Sequence, residues 1–218
     1  MFNKLFMPFR LKVLDKFIKG RDVAFLGVGC GATSPRITKR YYPQLRYHGI
    51  DLLSVGTPEL LGGTLEKFYQ LNLVNDSLSS VPDCFFDIVE MSHVIEHLSN
   101  GMDVIRQVLP KVQSAGRVYI EFPSVKSLSL PSMPDTLHFC DDPTHIRIYS
   151  IAEVANVLLD NNFKIIKSGV RRDWVRIVFL PIIVPLRYLM RGRISGADFW
   201  DLTGFAEFVY AERRLAVD

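Results

Sequence analysis

VAFLGVGCGATSP, residues 23–35, runs from a short apolar segment into clustered glycines and then into a Ser-Pro pair. Val23 to Val28 has the length and apolarity of a buried strand. Ser34 is suited to cap a helix and Pro35 to occupy its first position. The stretch therefore predicts strand, glycine turn, helix. Glycines after a strand let the backbone approach a ligand without interference from a Cβ, which makes Gly29, Cys30 and Gly31 candidate contacts. A dinucleotide-binding turn would want a third glycine at position 34, and Ser34 stands there, which argues against a nicotinamide cofactor. Twenty residues on, Asp51 ends a second predicted strand, Arg46 to Asp51, where a carboxylate can accept hydrogen bonds from ribose hydroxyls. The spacing points to a nucleoside ligand. Cys30 has no His or Lys beside it in sequence to lower its pKa, so it reads as a small space-filler rather than a nucleophile.

Outward from this unit the chain alternates strand and helix signals. Predicted strands cover Lys67 to Leu71, Phe85 to Met91 and Arg117 to Phe122, with a helical stretch reaching about Gln113 before the last of these. Repeated βα alternation implies a parallel sheet with helices on both faces. Upstream, Phe9, Val13, Leu14, Phe17 and Ile18 recur at helical spacing opposite Lys12, Lys16 and Lys19, predicting an amphipathic helix over 8–19. Beyond Pro123 lies an irregular stretch of the length of a functional lid. Ser150 and Glu153 form a capping box opening a helix through about Leu159, followed by a strand from Phe163. Phe205 to Arg213 reads as a last strand. Between these two strands, 174–200 is a basic, apolar insertion interrupted by Pro181 and Pro185.

The chain has 218 residues, 48% hydrophobic and 22% charged, which suits one domain with appendages, spanning 1–218. Three scattered cysteines, Cys30, Cys84 and Cys140, make no disulfide framework and favour a reducing, cytoplasmic setting. The first twenty residues lack the uninterrupted apolar run of a signal peptide. Ile177 to Leu186 is too short, with two prolines, for the roughly 20 residues of a membrane-spanning helix. The net charge of +3 hides an asymmetry: residues 1–21 carry six basic and one acidic side chain, 164–193 eight and one, and 22–163 ten and sixteen. No zinc-finger, basic-zipper or aromatic RNA-binding pattern accompanies the basic flanks, so no nucleic-acid partner is expected. They suggest peripheral association with an anionic membrane, at its inner face, or an anionic substrate.

Four ordered segments now carry a resemblance. FLGVGCG, HGIDL, FYQLNL and FDIVEMSHVIEHL, with the later THIRIYSIAEVANVLLDNNF, resemble the class I S-adenosylmethionine-dependent methyltransferases, in particular the small-molecule branch of ubiquinone-pathway-type O-methyltransferases. The likeness spans roughly residues 21–170. It implies a doubly wound, Rossmann-like α/β fold whose mostly parallel sheet has seven strands, the last antiparallel. It implies S-adenosyl-L-methionine as cofactor, bound by Gly29, Cys30, Gly31, Asp51, Leu52, Asn72, Leu73, Met91 and Ser92. It also implies methyl transfer to a small-molecule or lipid-linked acceptor, at a hydroxyl oxygen. Two positions depart from the pattern. Gly27 replaces an acid used around the methionine amino group, so backbone carbonyls or another acid must substitute. Asn72 replaces the acid that contacts adenine, and its side-chain carbonyl can still accept from an amine. The departure at Gly27 supports a competing reading: a non-catalytic binding module on the same fold.

Four of the five histidines lie between His93 and His145. His93 follows the fourth strand beside the expected position of the transferable methyl, and His145 sits in the lid. Both are candidate general bases. His93, Glu96 and His97 share i, i+3, i+4 spacing, but three ligands from one turn rarely fill a coordination shell, so helix packing is favoured and no metal is expected. Asp141 and Asp142 are fallback proton acceptors.

Overall fold

In the computed structural model, residues 6–53 and 63–215 are described. Their elements are α1 (Phe9–Ile18), β1 (Ala24–Val28), α2 (Thr33–Tyr41), β2 (Arg46–Asp51), β3 (Lys67–Gln70), β4 (Phe86–Ser92), α3 (Gly101–Val108), β5 (Val112–Pro123), α4 (Ile151–Asp160), β6 (Phe163–Val170), α5 (Trp174–Arg191), α6 (Trp200–Thr203) and β7 (Ala206–Arg213). The strands form one sheet in the order β3-β2-β1-β4-β5-β7-β6. Pairing is parallel from β3 through β5, and β7 runs antiparallel to both β5 and β6. The expected α/β architecture, with its last strand antiparallel, is the one observed.

Strand alternation sends successive side chains to opposite faces, and each face has its own core. Leu26, Val28, Val89, Met91 and Ile120 pack with Val104 and Ile105 of α3 and Val154 and Leu158 of α4. Phe25, Tyr47, Ile88 and Tyr119 pack with Leu11, Leu14 and Phe17 of α1. The order reverses at β1 and β4, and the open end of this crevice is where ligands bind in such sheets.

Local rules account for most boundaries. Ser150 Oγ accepts from the Glu153 N–H while Glu153 returns a bond to the Ser150 N–H, so the capping box of α4 forms. Two expectations require correction, and one segment left without an assigned conformation proves helical. Ser34 is not the cap of α2, which begins at Thr33 with Ala32 ahead of it. Ser34 Oγ bonds Tyr47 Oη at 3.0 Å and accepts from Arg10 Nη2 at 3.0 Å, and Pro35 falls within the first turn, where a missing N–H costs nothing. The helix before β5 stops at Val108, because Pro110 cannot donate to a continuing helix, and β5 then starts five residues before Arg117. Finally, 174–191 is one helix despite Pro181 and Pro185. These prolines stand one turn apart on the exposed side, where water can satisfy the carbonyls they leave free.

That helix is capped by Asp173, whose side chain accepts from the Arg176 N–H, and ends at Gly192 with φ +69°. Leu180 is its one buried residue. Trp174, Val178, Ile182 and Leu186 recur every four residues and are exposed, as are Leu189 and Met190 beyond them. Among the described residues, no helix is long and apolar enough to cross a membrane.

Candidate active site

The glycine turn is pinned to the end of β2. The N–H groups of Gly29 and Cys30 both donate to the Ile50 carbonyl, at 2.8 and 3.2 Å. Gly31 N–H donates to Asp51 Oδ2 at 2.9 Å and Leu53 N–H to Asp51 Oδ1 at 3.1 Å. Each carboxylate oxygen thus keeps a lone pair for a ligand while its orientation is held by backbone. Gly29 has φ +63°, and a Cβ there would stand 2.5 Å from Val94 Cγ2, so glycine is required twice over. Asp51, Leu52, Asn72 and Leu73 line a cleft of about 450 Å³ together with Leu71, Val74, Val94 and Leu98. It is a mainly apolar slot with a carboxylate at one edge, suited to a planar base and its ribose. Asn72 Oδ1 accepts from the Val74 N–H at 3.0 Å, which leaves it one lone pair toward a ligand amine.

Gly29 and His93 border this cleft and also a second one of about 560 Å³, lined by Arg10, Cys30, Ser34, Glu90, Ser92 and Trp200. Here the departure at Gly27 is explained. A Cβ at Gly27 would lie 2.0 Å from Tyr47 Oη, so the phenol fills the space of the missing side chain. Gly27 pairs in register with Glu90 on β4, which supplies a carboxylate one strand away. Glu90 is buried, accepts a short hydrogen bond from Ser92 Oγ, and lies 3.5 Å from Arg10 Nε. Arg10 Nη1 is buried without a hydrogen-bond partner. A buried acid beside a half-buried, partly unsatisfied guanidinium suits an amino-acid zwitterion, with its ammonium toward Glu90 and its carboxylate toward Arg10. Sequence reasoning passed over both residues; an acid inside the otherwise apolar run FDIVEMS was the available signal. Cys30 is buried, its thiol pushed up to about 12 by burial and the nearby Asp51, which keeps it protonated and inert.

Alternation along β4 turns Met91 into the α3-side core, and it lines neither cleft. Gly31 also lines neither, and acts through its N–H on Asp51.

His93, at the end of β4, sits between two carboxylates. Nδ1 is 3.1 Å from Glu96 Oε1 and Nε2 is 3.2 Å from Glu121 Oε1. Burial opposes the ring's charge, but the hydrogen bonds to Glu121 and Glu96 outweigh it and push the pKa up to about 9. The ring is therefore an imidazolium at neutral pH with both N–H groups committed, a poor general base. Glu121 is held well below the usual carboxylate range: Arg171 Nη1, at 2.9 Å, and His93 overcome its burial. Arg171 continues to Asp201, and Trp200 packs on His93 with ring centroids 4.7 Å apart. His93, Glu96 and His97 do not share an α-helical turn, because residues 95–97 form a short 3₁₀ turn and α3 begins only at Gly101.

The lid is tied over this edge. The N–H groups of Ile146 and Arg147 donate to the Glu96 carbonyl, bringing His145 beside His97 with centroids 4.7 Å apart. A cavity of about 100 Å³ is bounded by His93, His97, Thr136, Asp142, His145 and Trp200. His93 and His145, distant in sequence, thus face one space. Asp141 is spent on structure, accepting from Ser132 Oγ and from the N–H groups of Met133, Leu137 and His138.

Comparisons with known proteins agree with this fold. Residues 6–168 match a family model described as a methyltransferase domain. A SAM-dependent methyltransferase from Archaeoglobus fulgidus is similar in structure at 17% identity, with TM-score 0.62 over 94% of this chain and 91% of that one. An S-adenosylmethionine-dependent methyltransferase from Mesorhizobium loti is similar at 13% identity, TM-score 0.62, over 96% and 100%. A plantazolicin methyltransferase in complex with SAH is similar at 14% identity, TM-score 0.60, over 97% and 83%. The comparison with curated proteins finds no match. The chain belongs to the methyltransferase-domain family.

Proposed function

We propose that this enzyme methylates a hydroxyl oxygen of a small or lipid-linked acceptor. In this reading the adenine lies in the apolar cleft by Asn72 and Leu73, with Leu52 over it. Asp51 accepts from the ribose, the glycine turn passes beneath the methionine portion, and Glu90 and Arg10 hold the zwitterion. When bound, S-adenosylmethionine supplies a methyl group already activated on a sulfonium. The chain's task is then largely to hold the acceptor within about 3–3.5 Å of that carbon and to exclude water. Trp200 forms one wall, and His93, fixed by Glu96 and Glu121, sets the floor. His93 acts as a positioning group, and the proton leaves toward the side of the cavity formed by His97 and His145.

The observation that carries the acceptor class is the exposed apolar stripe of α5. Helix α6, packed on α5, begins at Trp200, which lines both the zwitterion cleft and the small cavity. Trp174, Val178, Ile182 and Leu186 thus lie on the helix neighbouring the site, where they can cover an apolar tail or rest on an anionic bilayer. Incubation with S-adenosylmethionine and hydroxylated acceptors with and without apolar tails tests this. S-adenosylhomocysteine should form fastest with tailed hydroxyls. Cofactor binding without turnover on any hydroxyl would favour the non-catalytic module.

A further inference from the structure

We infer that Glu96, His97 and His145 form a binding site for a divalent first-row transition-metal ion at the acceptor end of the cleft. The metal role assigned here deepens the proposed function, while the binding itself stands on geometry alone. One ligand atom from each of the three residues lies within 4.8 Å of the others. Ligands placed tetrahedrally at about 2.0–2.2 Å from an ion stand roughly 3.4 Å apart, so side-chain shifts on the order of 1 Å bring all three to bonding distance.

The protonation pattern distinguishes this cluster from a casual meeting of polar groups. His145 Nδ1 is 2.7 Å from the Phe139 carbonyl, which can only accept, so that nitrogen carries the hydrogen. His97 Nδ1 is 2.8 Å from Thr144 Oγ1, and that hydroxyl gives its own hydrogen to Asp142 Oδ1. His97 Nδ1 must therefore donate as well. Both rings then keep Nε2 available as a ligand atom. Metal-binding histidines show this arrangement, with the second ring N–H fixed by a carbonyl or by a carboxylate relay.

The third member supplies an independent sign. Glu96 is fully buried; Oε1 is engaged by His93, and Oε2 has no hydrogen-bond partner. An anionic oxygen buried without a partner is costly, and a cation removes that cost. Asp142 Oδ2, 3.9 Å from His145 Nε2, stands close enough to complete the shell or hold a water ligand. Two imidazoles and one carboxylate suit ions such as Zn²⁺, Co²⁺, Mn²⁺ or Fe²⁺ better than Mg²⁺ or Ca²⁺. The two imidazoles border the small cavity shared with His93 and Trp200, where an acceptor oxygen would bind.

The test uses the full-length chain without a histidine tag, stripped with chelator. Co²⁺ is titrated by visible absorption and Zn²⁺ by calorimetry, in wild type, His145→Gln, Glu96→Gln and Thr144→Val, with folding checked by circular dichroism. One equivalent should bind wild type with ligand-field bands. His145→Gln should lose more than about 100-fold in affinity, beyond the ~10–100-fold expected for Thr144→Val, an outer-shell change. His145→Gln carries the test if Glu96→Gln does not fold. Absence of binding to folded wild type overturns the site. So does equal binding in every variant, since both exposed cysteines, Cys84 and Cys140, remain in all of them. If metal binds but stripped protein forms S-adenosylhomocysteine at an undiminished rate, the metal has no part in acceptor binding and the proposed function is untouched.

Discussion

Glu90 on β4 is the register partner of Gly27 on β1, so the acid missing from the glycine motif returns one strand across. The exchange is enforced sterically: Tyr47 Oη occupies the place of a side chain at position 27, and Ser34 and Arg10 hold that edge in turn.

Glu90→Gln should weaken S-adenosylhomocysteine binding by about 1.5–3 kcal/mol, the range for a hydrogen bond to a charged group, or roughly 10–100-fold. Gly27→Asp should not strengthen binding and should lower stability, because its Cβ collides with the phenol. Isothermal calorimetry and thermal melts check both; an unchanged dissociation constant in Glu90→Gln would remove the compensation.

Asp51→Ala should cost a similar 1.5–3 kcal/mol of cofactor affinity. Part of that loss comes through the backbone, since the substitution also frees the N–H groups of Gly31 and Leu53. Amide hydrogen exchange at Gly31 should accelerate in the variant. Slow exchange together with undiminished affinity would refute the placement.

His93 has its pKa raised from 6.5 to about 9, so its pairing with Glu96 and Glu121 stabilises the fold fully below pH 6.5. That contribution fades as pH rises through about 9, and is at most on the order of 3 kcal/mol. Denaturant unfolding of wild type and His93→Gln from pH 6 to 10 should show the stability difference shrinking at the alkaline end. Single-turnover rates should lack a His93 inflection between pH 5.5 and 8.5, roughly the range where an unperturbed histidine titrates. A stability gap growing with pH would contradict the imidazolium.

The stripe on α5 predicts flotation of the protein with anionic vesicles at low salt and loss of flotation in Val178→Asp and Ile182→Asp. Both residues are well exposed, 71% and 65%, so melting temperatures should hold. Failure of wild type to float at low salt would leave the stripe to an apolar acceptor alone.

Much of the architecture could be read locally. The glycine turn, the acid closing β2, the capping box of α4 and the strand runs are short-range signals, because each depends on neighbours within a few residues. Asp51 could be placed at the sheet's carboxyl edge because it ends a strand, whereas Leu52, Asn72 and Leu73 were expected from the family resemblance; all four line the same cleft. The amphipathic face of α1 was equally legible, although its buried residues serve the sheet and Lys12 reaches Asp173 at 2.7 Å.

What sequence order by itself determined about this protein is the alternation of elements, hence the sheet and the edge where such sheets bind ligands. Tertiary structure alone decided which distant charges meet. Register placed Glu90 opposite Gly27, the lid's hydrogen bonds to the Glu96 carbonyl carried His145 to His97, and β5 set Glu121 against His93. Propensity and periodicity encode a residue's local conformation, whereas a pKa or an orphaned carboxylate depends on burial and on partners many residues away. Those exist only once the strands are paired.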